Sequence, residues 1–396
     1  MPSDRLSNFI LLPELKLTAV RQESRSCGRY ECQKVPRIEY CPKCATPSNS
    51  TYDHRRVRIT DAPIRGYGAT LWIRKRRLWC KPCGKPFTEP VPGIQKGKRH
   101  TERYVQSLHW ACENFVDLKS VRRAYRCSWD YLYRHYYKHL ERKLGEWQGG
   151  SPWPKTLGID EHSFRRNPQF GHTEYVTMLV DYDNRRVREL VYGKTCAGLE
   201  ADLAEIAGRE NVRWVVLDLC EAFRNFSHSF FPQARLVADK FHVLKLLTPA
   251  LLRHRKRIVG TKADLKAKKL LLMSGHELSY FSRQSLLDFL KRYPELKELY
   301  EWKERLHRLY RIPDYMRAHR AFRALVDDMA WSDLPEIKTL RRTLLKWKEE
   351  ILNYFLNRIT NARTEGFNNK AKVVKRRAYG YKSFRNYRLK VLTACA

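Results

Sequence analysis

The chain has 396 residues, 43% of them hydrophobic, with 78 Lys and Arg against 42 Asp and Glu, a net charge of +36. That length calls for two or three domains, and no uncharged apolar run is long enough to span a bilayer. The charge asks for a polyanionic partner, nucleic acid before a membrane surface. The first residues carry no signal-peptide pattern, which predicts a cytosolic, reducing setting where the 11 cysteines serve as thiols or metal ligands.

Two CxxC units come first in chain order, Cys41-Pro42-Lys43-Cys44 and Cys80-Lys81-Pro82-Cys83. Each brings two thiolates to one side of a tight turn, and two such turns facing each other make a tetrahedral Zn²⁺ site. The strand-like run at 71–79 between them fits a zinc ribbon. Cys27 and Cys32 fall outside the spacing, and His54 reads as a surface residue. Arg74, Arg76 and their neighbours make the ribbon basic, so residues 1–98 read as a DNA-binding module in which zinc itself is structural.

Apolar residues three or four apart (Tyr104, Leu108, Ala111, Phe115) predict a helix over 101–115. A short helix at 118–124 follows, then a turn at 126–128 with Ser128 as N-cap. A third helix at 129–140 carries Arg134 and Lys138. This is the rhythm of a helix-turn-helix, whose last helix enters the major groove, although a plain helical bundle has the same spacing. The unit covers 99–145, and the composition of 145–154 (GEWQGGSPWP) predicts a linker.

Residues 156–159 predict a short strand ending on Asp160. Glu161 follows and would point to the opposite face. Strands at 172–181 and 186–192, joined by a turn at 182–184, add an antiparallel meander, and 198–208 a helix. The run 212–217 is apolar and β-branched, the mark of a buried strand, and ends on Asp218. Helical spacing over 221–230 stops at Pro232. A second buried strand at 235–238 ends on Asp239. Two neighbouring parallel strands thus each finish on a carboxylate, at the edge where ligands collect in open α/β sheets. An Asp after a strand also serves as an N-cap, so neither acid decides alone. The order βββ-α-β-α-β-α is that of a ribonuclease H-like sheet. Its first strand is central with the fourth beside it, which sets Asp160 next to Asp218.

The fold class is therefore α/β: a ribonuclease H-like catalytic core with an all-helical insertion, preceded by the zinc ribbon and helix-turn-helix. The core's first part covers 154–247, and helical periodicity over 248–356 marks the insertion. Residues 357–396 hold a last helix and a basic tail. On that helix Glu365, Asn368, Asn369 and Lys372 share one face. A helix bringing one carboxylate to two strand-end Asp residues is what a two-metal site needs, and Mg²⁺ prefers carboxylate oxygen. Two ions about 4 Å apart activate a water or 3′-hydroxyl and stabilise the leaving oxygen of a phosphodiester. Beyond it Lys375, Arg376 and Arg377 open a run of cations interleaved with Tyr379, Tyr381, Phe384 and Tyr387. That mixture suits a phosphate backbone and exposed bases.

With these motifs assembled, the chain resembles a DDE transposase of a bacterial insertion sequence, of the ISL-three family. The match rests on the CPKC and CKPC ribbon, the helix-turn-helix, the GIDE strand, the stretch VVLDLCEAF to FPQARLVADKFHVLKLL, and TNARTEGFNNKAKVVKRRAYGY. The resemblance implies dependence on Mg²⁺ or Mn²⁺, with Asp160, Asp218 and Glu365 as the metal-binding triad. Asp239 and His242 match a second motif, with Asn368, in supporting roles; Asp239 in place of Asp218 as ligand stays open. It also implies double-stranded DNA partners (transposon ends and target), a homodimer on DNA, no membrane, and a bacterial cytoplasm. Lys372, Lys375, Arg376 and Arg377 would hold DNA backbone. A zinc-dependent DNA-binding regulator would need only the N-terminal third, and another ribonuclease H-like nuclease would cleave without strand transfer.

Overall fold

The computed structural model describes residues 12–396 other than 116, 149, 168 and 261–264. The chain divides into two compact units, Met1–Lys143 and Leu144–Ala396.

In the first unit, β1 (Leu15–Ser24) and β2 (Cys27–Lys34) form a hairpin. The short pair β3 (Glu39–Tyr40) and β4 (Pro47–Ser48) frames the first CxxC turn. Two long strands follow, β5 (Thr51–Ile64) and β6 (Tyr67–Cys80), and then β7 (Lys85–Thr88). The main sheet runs β1-β2-β6-β5, with β7 also paired to β6. Its small core includes Leu15, Cys32, Ile59, Leu71 and Ile73. Burial, and then the charges of Asp61 and Glu31, push the Cys32 thiol up to about 12, so it is an inert core thiol outside the metal pattern.

Three helices complete this unit: α1 (Glu102–Asn114), α2 (Leu118–Tyr125) and α3 (Trp129–Gln148). Thr101 caps α1 by accepting from the Tyr104 N–H, Asp117 caps α2, and the Ser128 hydroxyl accepts from the Tyr131 N–H at 3.2 Å. The buried carboxylate of Asp61 on β5 accepts from the Thr101 hydroxyl at 2.7 Å and from Arg103 Nε at 2.8 Å, tying the ribbon to α1. The third helix runs eight residues past its predicted end. Gly145 inside a helix costs only about 1 kcal/mol against Ala, which the good helix formers Glu141 to Leu144 offset.

The second unit is built on a five-stranded sheet. Its elements begin β8 (Thr156–Arg166), β9 (Thr173–Asp181), β10 (Arg186–Tyr192), α4 (Cys196–Leu203), β11 (Trp214–Leu217), α5 (Glu221–Phe230), β12 (Arg235–Ala238) and α6 (Lys240–Leu244). The sheet order is β10-β9-β8-β11-β12. Central β8 pairs antiparallel with β9 and parallel with β11, with Leu217 opposite Ile159 and Ala238. Residues 215–217 and 236–238 are all buried, which explains their unbroken apolar run. One expectation is corrected here: β8 does not stop at Asp160 but continues to Arg166. Its second half pairs with β9 and turns His162 and Phe164 inward at period two.

Among the described residues the following stretch holds helices and no strand: α7 (Thr248–Val259), α8 (Leu265–Leu272), α9 (Tyr280–Lys291), α10 (Pro294–Leu309), α11 (Tyr315–Asp328), α12 (Pro335–Lys346) and α13 (Lys348–Asn357). It shares one continuous core with the sheet, and α13 lies on β12, where Asn353 Nδ2 donates to the Leu236 carbonyl at 2.9 Å. The chain returns through α14 (Ala362–Arg377), packed on β8 and β9, and ends in α15 (Phe384–Ala394), packed on β10.

The expectation that the tail's aromatics stack on exposed bases is corrected as well. Tyr387 is fully buried (0%), Phe384 packs edge-on to Phe164 and Tyr192, and Arg388 Nε donates to Glu189 Oε1 at 2.6 Å. Phe384 and Tyr387 lie on the inner face of α15, Tyr379 and Tyr381 fall between the two helices, and of these aromatics Tyr379 alone stands out in solvent, 91% exposed. No described helix is long and apolar enough to cross a membrane.

Candidate active site

Asp160 on β8 and Asp218 just after β11 follow directly on the paired residues Ile159 and Leu217, so strand pairing alone makes them neighbours. Asp239 follows β12, and its N–H donates to the Leu217 carbonyl at 2.9 Å. All three line one cavity of about 620 Å³, together with His242 from α6 and Glu365, Asn368 and Lys372 from α14. Those last three recur one helical turn apart on the face predicted from sequence; Asn369, the fourth predicted, is not among the lining residues.

Hydrogen bonds fix most of the acids. Asp160 Oδ2 accepts from Asn368 Nδ2 at 2.6 Å and Oδ1 from the Glu161 N–H at 2.7 Å. Asp218 Oδ1 accepts from Asn361 Nδ2 at 3.1 Å and lies 2.9 Å from His242 Nδ1. Asp239 Oδ1 accepts from the Asn361 N–H at 2.9 Å, while its Oδ2 takes the His242 N–H at 3.2 Å and ring Nδ1 at 3.0 Å. Asn361 thus touches both strand-end acids. The sequence reading passed over it, although its place opening the last helix was a signal. Glu365 is exposed and forms no ion pair among the described residues. Glu161 lines the cavity too, but its carboxylate lies 3.2 Å from Lys194 Nζ.

The electrostatics follow from this crowding. Burial, and then the Asp218 carboxylate, push Asp160 up to about 7. Hydrogen bonds to Asp218 and Asp239 push His242 up to about 10, so it is an imidazolium at neutral pH. Burial works against the charge on Asp239, but hydrogen bonds from His242 and Asn361 prevail and hold it below the usual range. Ligand atoms of Asp218, Asp239 and His242 lie within 4.8 Å of one another. Asp160 and Glu365 face the same cavity outside that tight group. The donors are chiefly carboxylate oxygens, a set that suits a hard divalent cation such as Mg²⁺.

The predicted DNA contacts divide. Arg74, Arg134, Lys138, Lys372, Arg376 and Arg377 are exposed, Arg134 with Asp130 Oδ2 at 2.6 Å. Arg76 is corrected: its Nε donates to buried Glu89 at 2.9 Å and its Nη2 to the Arg37 carbonyl at 3.0 Å, so it braces the ribbon. Lys375 Nζ donates to the Ser163 carbonyl at 2.5 Å.

In the first unit the four predicted cysteines converge. Sγ–Sγ distances are 4.0 Å for Cys41 with Cys83 and 3.4 Å for Cys44 with Cys80. Tetrahedral zinc with Zn–S bonds near 2.3 Å needs edges of about 3.8 Å. The two turns are built alike. The N–H of Ala45 returns to the Cys41 carbonyl at 2.8 Å and that of Gly84 to the Cys80 carbonyl at 3.0 Å, and both residues have positive φ. The Thr46 hydroxyl and N–H lower the Cys44 thiol to about 6, while the hydrogen bond with Cys44 pushes the Cys83 thiol up to about 12, so without a cation the four crowded thiols do not all ionise together.

Residues 157–391, more than half of the chain, match the ISL3-type DDE family described as transposase. The chain belongs to this family. Residues 39–83 match a second family, the zinc-finger of transposase IS204/IS1001/IS1096/IS1165. The chain is also 25% identical to the transposase for insertion sequence element IS1001 of Bordetella parapertussis over 376 residues, 90% of this chain and 89% of that protein. As an ISL3-family transposase it is an insertion-sequence enzyme with a zinc ribbon and a DNA partner, and the buried or half-buried Asp160, Glu161, Asp218, Asp239, Asn361 and Asn368 frame the cavity of its DDE domain.

Proposed function

We propose that this transposase binds the terminal inverted repeats of its insertion sequence and cuts and joins DNA at the acidic cavity. The observation that carries the reading is the meeting of Asp160, Asp218 and Glu365 around one space, from two strands and a distant helix. The sheet order β10-β9-β8-β11-β12, with the first strand central, supports a ribonuclease H-like core. Helices α1 to α3 support a helix-turn-helix, with α3 in the major groove.

Asp160, Asp218 and Glu365 would hold two Mg²⁺ or Mn²⁺ ions, which when bound supply an activated water or 3′-hydroxyl and a charge clamp on the leaving oxygen. Asn361 orients Asp218. Asp239 accepts from the Asn361 N–H and from His242 and so would hold those two in place beside Asp218. The His242 imidazolium relieves repulsion between Asp218 and Asp239. Lys372, Lys240 and Lys245 at the cavity draw in the DNA backbone. Two ends must be processed together, so the working form is a homodimer on DNA.

Purified protein incubated with Mg²⁺ and DNA bearing the element's ends tests this. Cleaved ends joined to target DNA are expected. End binding without any cleavage would favour the zinc-dependent regulator, and cleavage without joining the plain nuclease.

A further inference from the structure

A line of hydrogen bonds leads away from Asp160 into the protein, and the chemistry above makes no use of its far end. Asn368 Nδ2 is 2.6 Å from Asp160 Oδ2, Asn368 Oδ1 is 2.9 Å from His162 Nδ1, and His162 Nε2 is 2.7 Å from the Tyr387 hydroxyl. Asn368, His162 and Tyr387 are all buried. Three separate elements contribute: β8, α14 and α15.

The direction of every bond follows from donor and acceptor chemistry. The ionised carboxylate that would hold a cation only accepts, so Asn368 turns its NH₂ to Asp160 and its oxygen to His162. His162 Nδ1 therefore carries a hydrogen. In a neutral ring Nε2 then accepts, and the Tyr387 O–H donates to it. Each donor points towards Asp160, and bonds aligned in this way polarise one another.

We propose that His162 and Tyr387 are positioning residues for Asp160, locking the Asn368 amide with its N–H towards the carboxylate. Without the Tyr387 hydroxyl, the imidazole proton is free to move to Nε2. Nδ1 then accepts, the amide turns over, and its oxygen faces Asp160. Two facing acceptors repel, which swings the carboxylate out of place and weakens its hold on a cation. The inference rests on the reading of Asp160 as a metal ligand.

Removing only the hydroxyl spares the packing, because the Tyr387 ring lies against Phe164 and Tyr381 at centroid distances of 5.3 and 5.2 Å. The test uses the full, zinc-loaded chain as wild type, Tyr387→Phe, Asn368→Asp and Asp160→Asn. Two quantities are measured: Mn²⁺ binding by calorimetry, and the Mg²⁺ concentration giving half-maximal end cleavage. Losing support of a ligand from behind typically weakens metal binding by about 10- to 100-fold. Tyr387→Phe is expected to weaken Mn²⁺ binding and raise the Mg²⁺ midpoint by roughly tenfold, with the maximal rate recovered at high Mg²⁺. Asn368→Asp, which sets an acid against Asp160, is expected to do so more strongly, and it carries the comparison if Tyr387→Phe fails to fold. Unchanged Mn²⁺ binding and midpoint in both, or a lower maximal rate at an unchanged midpoint, overturns the proposal. Asp160→Asn separates the two failures. If it binds Mn²⁺ like wild type, the ligand reading itself falls; if it loses Mn²⁺ while the other two do not, the positioning role alone falls.

Discussion

A Cβ built on Gly158 would lie 2.6 Å from Tyr182 Cε1 and closer still to Thr364 Oγ1. Helix α14 is therefore pressed onto β8 at a point where only glycine fits. Gly158 stands two residues before Asp160, and Thr364 one before Glu365. Gly158→Ala should push the helix off the strand, at a cost of about 1–3 kcal/mol. Cleavage should fall further than end binding, because the helix carries Glu365. Denaturant melts and a cleavage assay check this, and a variant as stable and active as wild type would contradict the packing.

The acids are tested directly by Asp160→Ala, Asp218→Ala and Glu365→Ala. Metal-borne charge stabilisation is worth several kcal/mol, and at about 1.4 kcal/mol per tenfold that makes the loss of cleavage on the order of a thousandfold or more. End binding, which the proposed function assigns to the first unit, should be unaltered in a gel-shift assay. Surviving cleavage in any of the three would reject that residue as a ligand.

Asp160 also makes stability depend on pH. Its ordinary value of 3.8 is raised to about 7, by burial first and by Asp218 second. Between those values the native state keeps a proton that the unfolded chain has released, so stability declines as pH rises through the window. Asp160→Asn has no such proton. In metal-free buffer its melting temperature, relative to wild type, should climb from about pH 4 to about pH 8. Adding Mn²⁺ at the upper pH should stabilise wild type and leave the variant unmoved. A pH-independent difference between the two would contradict the raised value.

Metal analysis should find zinc bound by the wild-type chain and lost in Cys44→Ser or Cys80→Ser. Structural zinc in small modules is worth about 10 kcal/mol or more, so its removal by a chelator should also abolish end binding. Cys32→Ala should retain the metal, since that thiol is buried in the ribbon core. Zinc lost from Cys32→Ala but kept in Cys44→Ser would reverse the assignment.

Local pattern carried much of this architecture. Strands β11 and β12 were legible because they are buried on both faces and so are apolar throughout, and α5 because its period changes to 3.6 and Pro232 ends it. The CxxC turns were legible because metal geometry dictates their spacing. What escaped was set by partners far along the chain. The acidic pair at 160 and 161 breaks the apolar run, yet β8 continues because β9 supplies its hydrogen bonds. Arg76 looks like any other cation of the ribbon until Glu89 folds back on it. Tyr387 sits in a basic, aromatic stretch, and only the docking of α15 on β10 takes it out of solvent. Asn361 has no sequence pattern of its own beyond opening a helix, and its contacts with Asp218 and Asp239 exist only once three segments have met.

Asp160 and the Asn368 that steadies it are separated by 208 positions. During synthesis the ribosome must therefore add more than half the protein after the first acid emerges before the last one can join it. Until then Asp160 lacks the Asn368 amide and Asp218 the Asn361 amide. On the proposed reading, a prematurely released product would keep the zinc ribbon of the N-terminal third and lack the Glu365 and Asn368 of the cavity.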